Sequence, residues 1–110
     1  MIYGYELIID GKECKNITKE SLQEFVIALC DLIDMKRFKG TVIEYFGNDR
    51  FKGYTLVQLI TTSSITGHFT DNEMFLNIFS CKKYDKAKAI RFVKEWFETK
   101  NIKYRYLIRS

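Results

Sequence analysis

Four β-type segments follow one another with no helix between them, and this run most constrains what the chain can fold into. They are Thr41–Phe46, Tyr54–Thr62, Ser64–Phe69 and Met74–Ser80. Consecutive strands joined by short turns pair in an antiparallel manner, so the run predicts the centre of an antiparallel sheet. One further strand is predicted on each side of the run, over residues 2–9 and Lys103–Arg109.

Two segments with helical periodicity flank this run. Thr18 is a favourable N-cap for a helix that extends to about Met35, and Asp85–Lys100 is predicted as the second helix. Apolar residues recur at helical spacing on one face of each segment: Leu22, Phe25, Val26, Leu29, Leu32 and Ile33 in the first, and Ala89, Ile90, Val93, Trp96 and Phe97 in the second. The order β-α-β-β-β-β-α-β predicts an α+β fold, a two-layer α/β sandwich whose antiparallel sheet carries both helices on one face.

The turns must be made without proline, which the chain lacks. Gly, Asn and Asp are expected to supply them. Asp10-Gly11 is expected to end the first strand, Gly40 to end the connection after the first helix, and Gly47-Asn48-Asp49 to form a turn. A bend is expected at Ser63-Ser64. The strand before that bend is expected to place four side chains on one face: Leu56, Gln58, Ile60 and Thr62.

Length and composition are those of one folded domain spanning residues 1–110, with 46% hydrophobic residues. The chain has no run of about 18 apolar residues and no signal-peptide pattern at its start, which predicts a cytoplasmic location. Its three cysteines, Cys14, Cys30 and Cys81, lack metal-ligand spacing and are expected to be free thiols. Because the chain has one histidine, no metal site is expected.

The net charge of +4 is mild for a chain of this size. Lys and Arg cluster at residues 36–39, 82–94 and 100–109, interleaved with Asp and Glu. Such clusters are usually solvated surfaces, and no phosphate-binding glycine loop or RNA-binding motif is present. A nucleic-acid partner is therefore not expected, while an anionic ligand stays open.

Residues 53–81 carry the pattern with the strongest functional signal. Gly53, Ser63 and His68 stand within it, and it closes on the run Ile78-Phe79-Ser80-Cys81. These positions resemble the motif of the small prokaryotic S-adenosylmethionine decarboxylases. The resemblance implies the same two-layer architecture, a dimer whose active sites draw on both chains, and S-adenosylmethionine as the class of substrate.

The resemblance also implies roles for the matching residues. In that family the serine of a Glu-Ser-His triplet is cut from the glutamate and becomes a pyruvoyl group, the cofactor of decarboxylation. Ser63 would be the pyruvoyl precursor, His68 an assisting acid–base group and Cys81 a proton donor, with Thr55 in place of an assisting serine. Plainer interpretations stay open: a polar residue in a bent strand, a structural histidine and a small buried thiol.

The sequence departs from the family pattern beside Ser63. The Glu-Ser-His triplet reads Thr62-Ser63-Ser64, and the His-Thr-Trp-Pro-Glu signature that begins at His68 is lost. Without the glutamate and the following histidine, Ser63 is expected to stay unprocessed, so no cofactor is expected. Ser63, Ser64, His68 and Cys81 are then the candidate catalytic residues, and a pyruvoyl group formed from Ser63 is the alternative.

Ligand-binding candidates follow from the parts of S-adenosylmethionine. Phe46 and Phe51 fall where the family's adenine-stacking aromatic residue stands, and aromatic faces also attract a sulfonium. Asp71 or Glu73 could replace the ribose-binding carboxylate, and acids at a solvated hairpin tip are the plainer interpretation of both. Thr62 and Thr66 complete the candidate substrate-binding set.

Three functions are compatible with these features. The favoured one is a lyase that cleaves S-adenosylmethionine, or a nucleotide-conjugated derivative, at the sulfonium without a pyruvoyl group, to a methylthioadenosine-type product and homoserine lactone. The second is a divergent pyruvoyl-dependent S-adenosylmethionine decarboxylase of polyamine synthesis. The third is a non-catalytic sensor of S-adenosylmethionine or a partner subunit. A homo-oligomer, most simply a dimer, is expected.

Overall fold

The computed structural model describes all residues from Met1 to Ser110 and contains six strands and two helices. In chain order they are β1 (Gly4–Lys12), α1 (Lys19–Leu32), β2 (Arg37–Phe46), β3 (Gly53–Ile60), β4 (Ser63–Phe69), β5 (Met74–Ser80), α2 (Lys86–Trp96) and β6 (Asn101–Arg109), with one turn of 3₁₀ helix at Asp49–Phe51 between β2 and β3. This confirms the predicted order of elements.

The strands form one antiparallel sheet in the order β2-β3-β4-β5-β1-β6. Strands β2 to β5 lie side by side in chain order because short turns connect them. Strand β1 enters between β5 and β6, where Leu7 pairs with Ile78 on one side and with Tyr106 on the other. The predicted two-layer α+β architecture is confirmed.

Side chains along each strand alternate between two faces of the sheet. The inner face packs on both helices in a single core, in which Leu7, Leu56, Ile65 and Leu76 of the sheet are fully buried. Phe25 of α1 and Phe97, just after α2, join in an edge-on contact with ring centroids 4.9 Å apart. Both helices therefore cover the same face.

The other face has no helix on it, and we call its central part the open face. It is formed by nine side chains of β3, β4 and β5: Thr55, Val57, Leu59, Ser64, Thr66, His68, Phe75, Asn77 and Phe79. None of them is Asp, Glu, Lys or Arg. Leu59 and Phe75 remain 46% and 42% exposed, so a largely uncharged surface faces outwards.

Several predicted boundaries were wrong. Asp10-Gly11 does not end β1, because both residues are paired with β5 and with β6. β2 begins at Arg37 rather than Thr41, and Gly40 lies inside it at a β-bulge between Phe38 and Val42. The buried Gln58 side chain holds this bulge by donating to the carbonyl of Lys39 over 3.1 Å and by bonding to Thr41.

The helices are shorter than predicted. Helix α1 ends at Leu32 rather than about Met35, and α2 spans Lys86–Trp96 rather than reaching Lys100, so that β6 starts at Asn101. The predicted N-cap of α1 is confirmed, since Thr18 accepts a hydrogen bond from the Ser21 amide. Asp85, which was predicted as part of α2, is instead its N-cap and accepts a hydrogen bond from the Lys88 amide. Neither helix is long and apolar enough to cross a membrane.

Candidate active site

Ser63 begins β4 directly after a two-residue turn. Ile60 pairs with Ser63, so Thr61 and Thr62 form the whole connection between β3 and β4. This corrects two predictions, because β3 ends at Ile60 rather than Thr62 and the chain reverses at Thr61-Thr62 rather than bending at Ser63-Ser64. Thr62 has φ +57°, a left-handed conformation that is unfavourable for a β-branched residue. The peptide bond before Ser63 therefore follows a strained residue.

The turn holds Thr62, Ser63 and Cys81 together, and we call these three residues the turn cluster. The Thr62 hydroxyl lies 2.6 Å from Cys81 Sγ, and the Cys81 amide donates to Ser63 Oγ over 2.9 Å. The hydrogen bond from Thr62 lowers the pKa of the Cys81 thiol, and the hydrogen bond from Ser63 acts in the same direction. Cys81 is exposed, so the interpretation of it as a buried thiol was wrong.

The other two cysteines differ from Cys81 in environment. Cys14 and Cys30 are buried, and burial raises the pKa of each thiol to about 11. Thiolates are the nucleophilic form of cysteine, so we expect Cys81 in the turn cluster to react more readily than Cys14 and Cys30.

A cleft of about 390 Å³ opens beside the turn cluster. Its lining residues are Asp34, Met35, Lys36, Thr61, Thr62, Cys81 and Lys82. Lys82 Nζ lies 2.7 Å from Asp34 Oδ2 and donates to the Asp34 carbonyl over 2.9 Å. This lysine lowers the pKa of the Asp34 carboxyl, so the carboxylate of the cleft is already paired.

His68 is held by two hydrogen bonds at the other end of β4. Its Nε2 lies 2.7 Å from the carbonyl oxygen of Phe51, and its Nδ1 lies 2.9 Å from Thr55 Oγ1. A carbonyl oxygen can accept but not donate, so Nε2 carries a hydrogen. In neutral His68, Nδ1 is then unprotonated and accepts from the Thr55 hydroxyl.

The predicted catalytic residues therefore fall into two groups rather than one. Ser63 and His68 are five positions apart on β4, which separates their Cα atoms by about 16 Å and places their side chains on opposite faces of the strand. Ser64 and Thr66 lie on the open face between the two groups. A single chain does not bring Ser63 and His68 together.

The predicted ligand residues gather mostly at the His68 end. Phe51 is next to His68, and Phe46 pairs with Gly53 at the adjacent end of β2. Asp71 and Glu73 belong to the turn after β4 and line a separate cleft of about 230 Å³. The other residues of that cleft are Tyr45, Asp49, Arg50, Lys52, Thr70 and Asn72. Thr62 alone of the ligand candidates lies in the turn cluster.

Gly53 allows this end of the sheet to close. A Cβ atom at this position would lie 2.2 Å from the backbone oxygen of Phe69, so only glycine lets β3 approach the end of β4 so closely. The same strand end sets Thr55 opposite His68.

Sequence reasoning missed three parts of the site. The Asp34–Lys82 pair joins residues 48 positions apart, and no motif marks either residue. The Phe51 partner of His68 is a backbone carbonyl, which a side-chain pattern cannot reveal. Thr62 was predicted only as a substrate contact, whereas its hydroxyl also contacts Cys81. No group of three His, Cys, Asp or Glu side chains is placed to hold a metal ion.

Comparison with known proteins yields one family and one solved structure of note. The profile of a family described as S-adenosylmethionine decarboxylase matches residues 5–110. The crystal structure of an adenosylmethionine decarboxylase from Aquifex aeolicus VF5 superposes with a TM-score of 0.82 at 16% sequence identity, over 99% of this chain and 92% of that chain. At that identity the superposition establishes the fold. No curated protein matches the sequence significantly.

Proposed function

This chain belongs to the S-adenosylmethionine decarboxylase family, and from that premise we propose that it is a lyase that cleaves S-adenosylmethionine, or a nucleotide-conjugated derivative, at its sulfonium. The observation that carries the proposal is the set of neighbours around Ser63. Thr62 and Cys81 contact this end of β4, the nearby Asp34 carboxylate is paired with Lys82, and the one histidine lies at the other end of the strand.

The family's pyruvoyl group does not fit these surroundings well. When bound, that group supplies an electron sink for decarboxylation. Its formation from a serine calls for groups that move protons next to the scissile bond, and within this chain Ser63 has neither a carboxylate nor an imidazole as a contact. A reaction that needs no electron sink is therefore the better match.

Cleavage at the sulfonium meets that condition because the substrate contains both reacting groups. Its carboxylate oxygen forms a bond to the γ-carbon, the bond between that carbon and sulfur breaks, and the electron pair stays on sulfur. The products are homoserine lactone and methylthioadenosine, or the nucleotide form of the latter. No oxidant, reductant or external base is needed, so the protein accelerates the reaction by orienting the folded substrate.

The two groups of residues suit two parts of such a substrate. In this proposal the hydroxyls of Ser64 and Thr66, which lie on the open face, donate the hydrogen bonds that hold the amino-acid carboxylate in line with the γ-carbon. Ser63 contributes from the turn cluster at one end of β4, and His68, whose ring nitrogens are bonded to Thr55 and to the Phe51 carbonyl, contributes the surface of its ring at the other end.

Recognition of the nucleoside falls to residues near the His68 end. The aromatic rings of Phe46 and Phe51 would stack on adenine, and Asp71 or Glu73 would bind the ribose hydroxyls. Phe46 and Phe51 are 57% and 63% exposed. The Arg50 guanidinium lies over one face of the Phe51 ring, 4.8 Å from its centroid, so a ligand would stack on the opposite face.

A homodimer would join the two groups into one site. The uncharged open face, with exposed Leu59 and Phe75, is of the kind that protein interfaces cover. Two copies could pack through their open faces about a two-fold axis that lies between the sheets and perpendicular to the strands. The His68 end of one chain would then lie over the turn-cluster end of the other. We propose this arrangement for the single 1–110 domain, in the cytoplasm, where free thiols such as Cys81 persist.

Incubation of the purified protein with S-adenosylmethionine labelled in its carboxyl group tests the proposal. Labelled homoserine lactone together with methylthioadenosine supports the lyase, and the same assay is run with phosphate-bearing derivatives. Labelled carbon dioxide and decarboxylated S-adenosylmethionine would overturn it. Binding heat without any product would instead assign the chain as a sensor or partner subunit.

One observation favours the pyruvoyl-dependent decarboxylase as second candidate. Thr62 has its left-handed φ of +57° directly before the bond that such processing would cut, and backbone strain often marks reactive positions. Cys81 also lies beside that bond, where the family's proton donor is expected. The intact mass of the protein separates this candidate from the lyase.

A further inference from the structure

Strand β6 forms a regular free edge of the sheet. It pairs with β1 over all nine of its residues without a bulge, and no strand lies on its other side. The opposite edge, β2, is interrupted by the bulge between Phe38 and Val42, where Lys39 has φ +64°. Bulges protect sheet edges against further pairing, whereas a long regular edge offers unpaired backbone groups to another strand.

The two faces of β6 differ in chemistry. Lys103, Arg105 and Arg109 lie on the same side of the sheet as the open face, and Tyr104 and Tyr106 lie on the helix side. A groove of about 470 Å³ runs between α2 and β6 on that helix side. It is lined by Ala87, Ile90, Arg91, Lys94, Glu95 and Tyr104. A strand added at this edge would therefore meet cations on one face and a partly apolar groove on the other.

The excess of positive charge near this edge favours an acidic partner. Residues 82–110 contain ten of the 18 Lys and Arg residues but three of the 14 Asp and Glu residues. A second copy pairing through its own β6 is disfavoured, because two-fold antiparallel pairing centred on Arg105 sets Arg105 against itself, and pairing centred on Tyr106 sets Lys103 against Arg109. Like charges directly opposite each other destabilise a sheet.

We propose that the free edge of β6 binds an extended acidic segment of a partner protein by strand addition. The segment would alternate acidic side chains, facing Lys103 and Arg105, with apolar side chains that enter the groove beside Ile90 and Tyr104. Backbone hydrogen bonds would supply affinity, and the alternating side chains would supply specificity.

Strand β1, which already pairs with the other side of β6, has this alternation of acidic and apolar side chains. Asp10 lies opposite Lys103, and Glu6 forms an ion pair of 3.1 Å with Arg109. Between these acids, Leu7 and Ile9 face the core opposite Tyr106 and Tyr104. A peptide that copies β1 is therefore a rational probe for the free edge.

The experiment uses the full chain and a fluorescent peptide with the sequence of residues 5–11. Fluorescence anisotropy is expected to show saturable binding, and a peptide with lysine in place of both acids is expected to bind at least tenfold more weakly. Hydrogen–deuterium exchange is expected to show protection of β6 amides by the first peptide. Absence of saturable binding, or equal binding of both peptides, would overturn the proposal.

Matched variants distinguish peptide binding at the β6 edge from non-specific electrostatic attraction. The double variant Lys94→Glu/Arg105→Glu should weaken peptide binding at least tenfold. The control double variant Lys15→Glu/Lys19→Glu should leave peptide binding unchanged. Circular dichroism verifies that both variant proteins are folded. A twelve-nucleotide single-stranded RNA is tested in parallel. RNA binding at equal or higher affinity, without protection of β6 amides, would instead identify a general polyanion surface and contradict strand addition.

Discussion

His68 and Ser63 share strand β4 but lie at its opposite ends and on its opposite faces. Each has its own hydrogen-bonding neighbours, Thr55 and the Phe51 carbonyl for His68, and the Cys81 amide for Ser63. One chain thus contains two separate groups of reactive side chains. Any reaction that uses both groups needs either a large substrate or a second copy of the chain.

Complementation between inactive variants tests whether active sites are shared. We expect His68→Asn and Cys81→Ala each to lower the rate of substrate cleavage at least tenfold when assayed alone. If each site combines one group from each chain, mixed dimers contain one intact site, so an equal mixture should recover about a quarter of the wild-type rate. A mixture no more active than its components would show that the sites are not shared in this way.

The open face should tolerate a charge poorly if it is an interface. Thr66→Lys places an ammonium at its centre, and burial of an unpaired charge is costly, so the variant is expected to sediment as a monomer where the wild-type protein is a dimer. Glu24→Lys, on the exposed side of α1, is the control and should remain dimeric. A wild-type protein that is monomeric at micromolar concentration would contradict the proposed dimer.

Mass spectrometry under denaturing conditions should find an intact chain of 13.1 kDa. This follows from the replacement of the family's Glu-Ser-His by Thr62-Ser63-Ser64, which removes the proton-transfer groups beside Ser63. Fragments of residues 1–62 and 63–110, the second with a pyruvoyl mass at its start, would establish the decarboxylase in place of the lyase.

Cys81 should be alkylated by iodoacetamide at pH 7 well before Cys14 and Cys30. Its pKa is lowered by the Thr62 hydrogen bond, whereas burial raises the pKa of the other two thiols to about 11. Thr62→Val removes that hydrogen bond, so the pH profile of Cys81 alkylation should shift to higher pH, while Thr62→Ser should preserve it. An unchanged profile in Thr62→Val would disprove the role assigned to the hydroxyl.

The tautomer of His68 can be measured directly because the chain has one histidine. Nitrogen-15 NMR of the neutral imidazole is expected to show Nε2 protonated and Nδ1 unprotonated, since the Phe51 carbonyl accepts from Nε2. Thr55→Val should change the Nδ1 shift more than the Nε2 shift. A protonated Nδ1 in the neutral ring would contradict the assignment.

Gly53→Ala should lower the free energy of unfolding by about 2 kcal/mol or more, because the added Cβ would lie 2.2 Å from the Phe69 backbone oxygen. Gly40→Ala is the matched control, since a Cβ at Gly40 meets nothing within 4 Å. Urea denaturation of both variants provides the comparison. Equal stability of the two would mean that β3 and β4 can separate at this point without cost.

Local patterns predicted the elements well and the connections less well. Helical spacing and β-type runs identified all six strands and both helices because burial on one side imposes a period on each. The prediction that Asp10-Gly11 ends β1 was wrong because pairing on both sides of β1 overrides the turn preference of these two residues. The bulge in β2 depends on Gln58, a contact between strands that local sequence does not encode.

The residues of the candidate site stay a prediction from motif positions, and their arrangement in space could not be predicted from the sequence. Motif positions led to Ser63, His68 and Cys81, and the structure brings Ser63 and Cys81 together. Because β4 begins at Ser63, the odd spacing to His68 sets the two side chains on opposite faces. The predicted bend at Ser63-Ser64 left Ser63 outside the strand, so this relationship was missed. The tight turn at Thr61-Thr62 was missed because a left-handed position in such a turn normally carries glycine.

The position of β1 between β5 and β6 also sets an order of events during folding. Strands β2 to β5 can form as successive local hairpins, whereas both partners of β1 lie more than sixty residues away along the chain. Contacts between such distant residues form late because closing long loops is entropically unfavourable. Until residues 101–109 are in place, a partly folded chain leaves one edge of β1 open, so a truncated or slowly folding chain is most exposed to misassociation there.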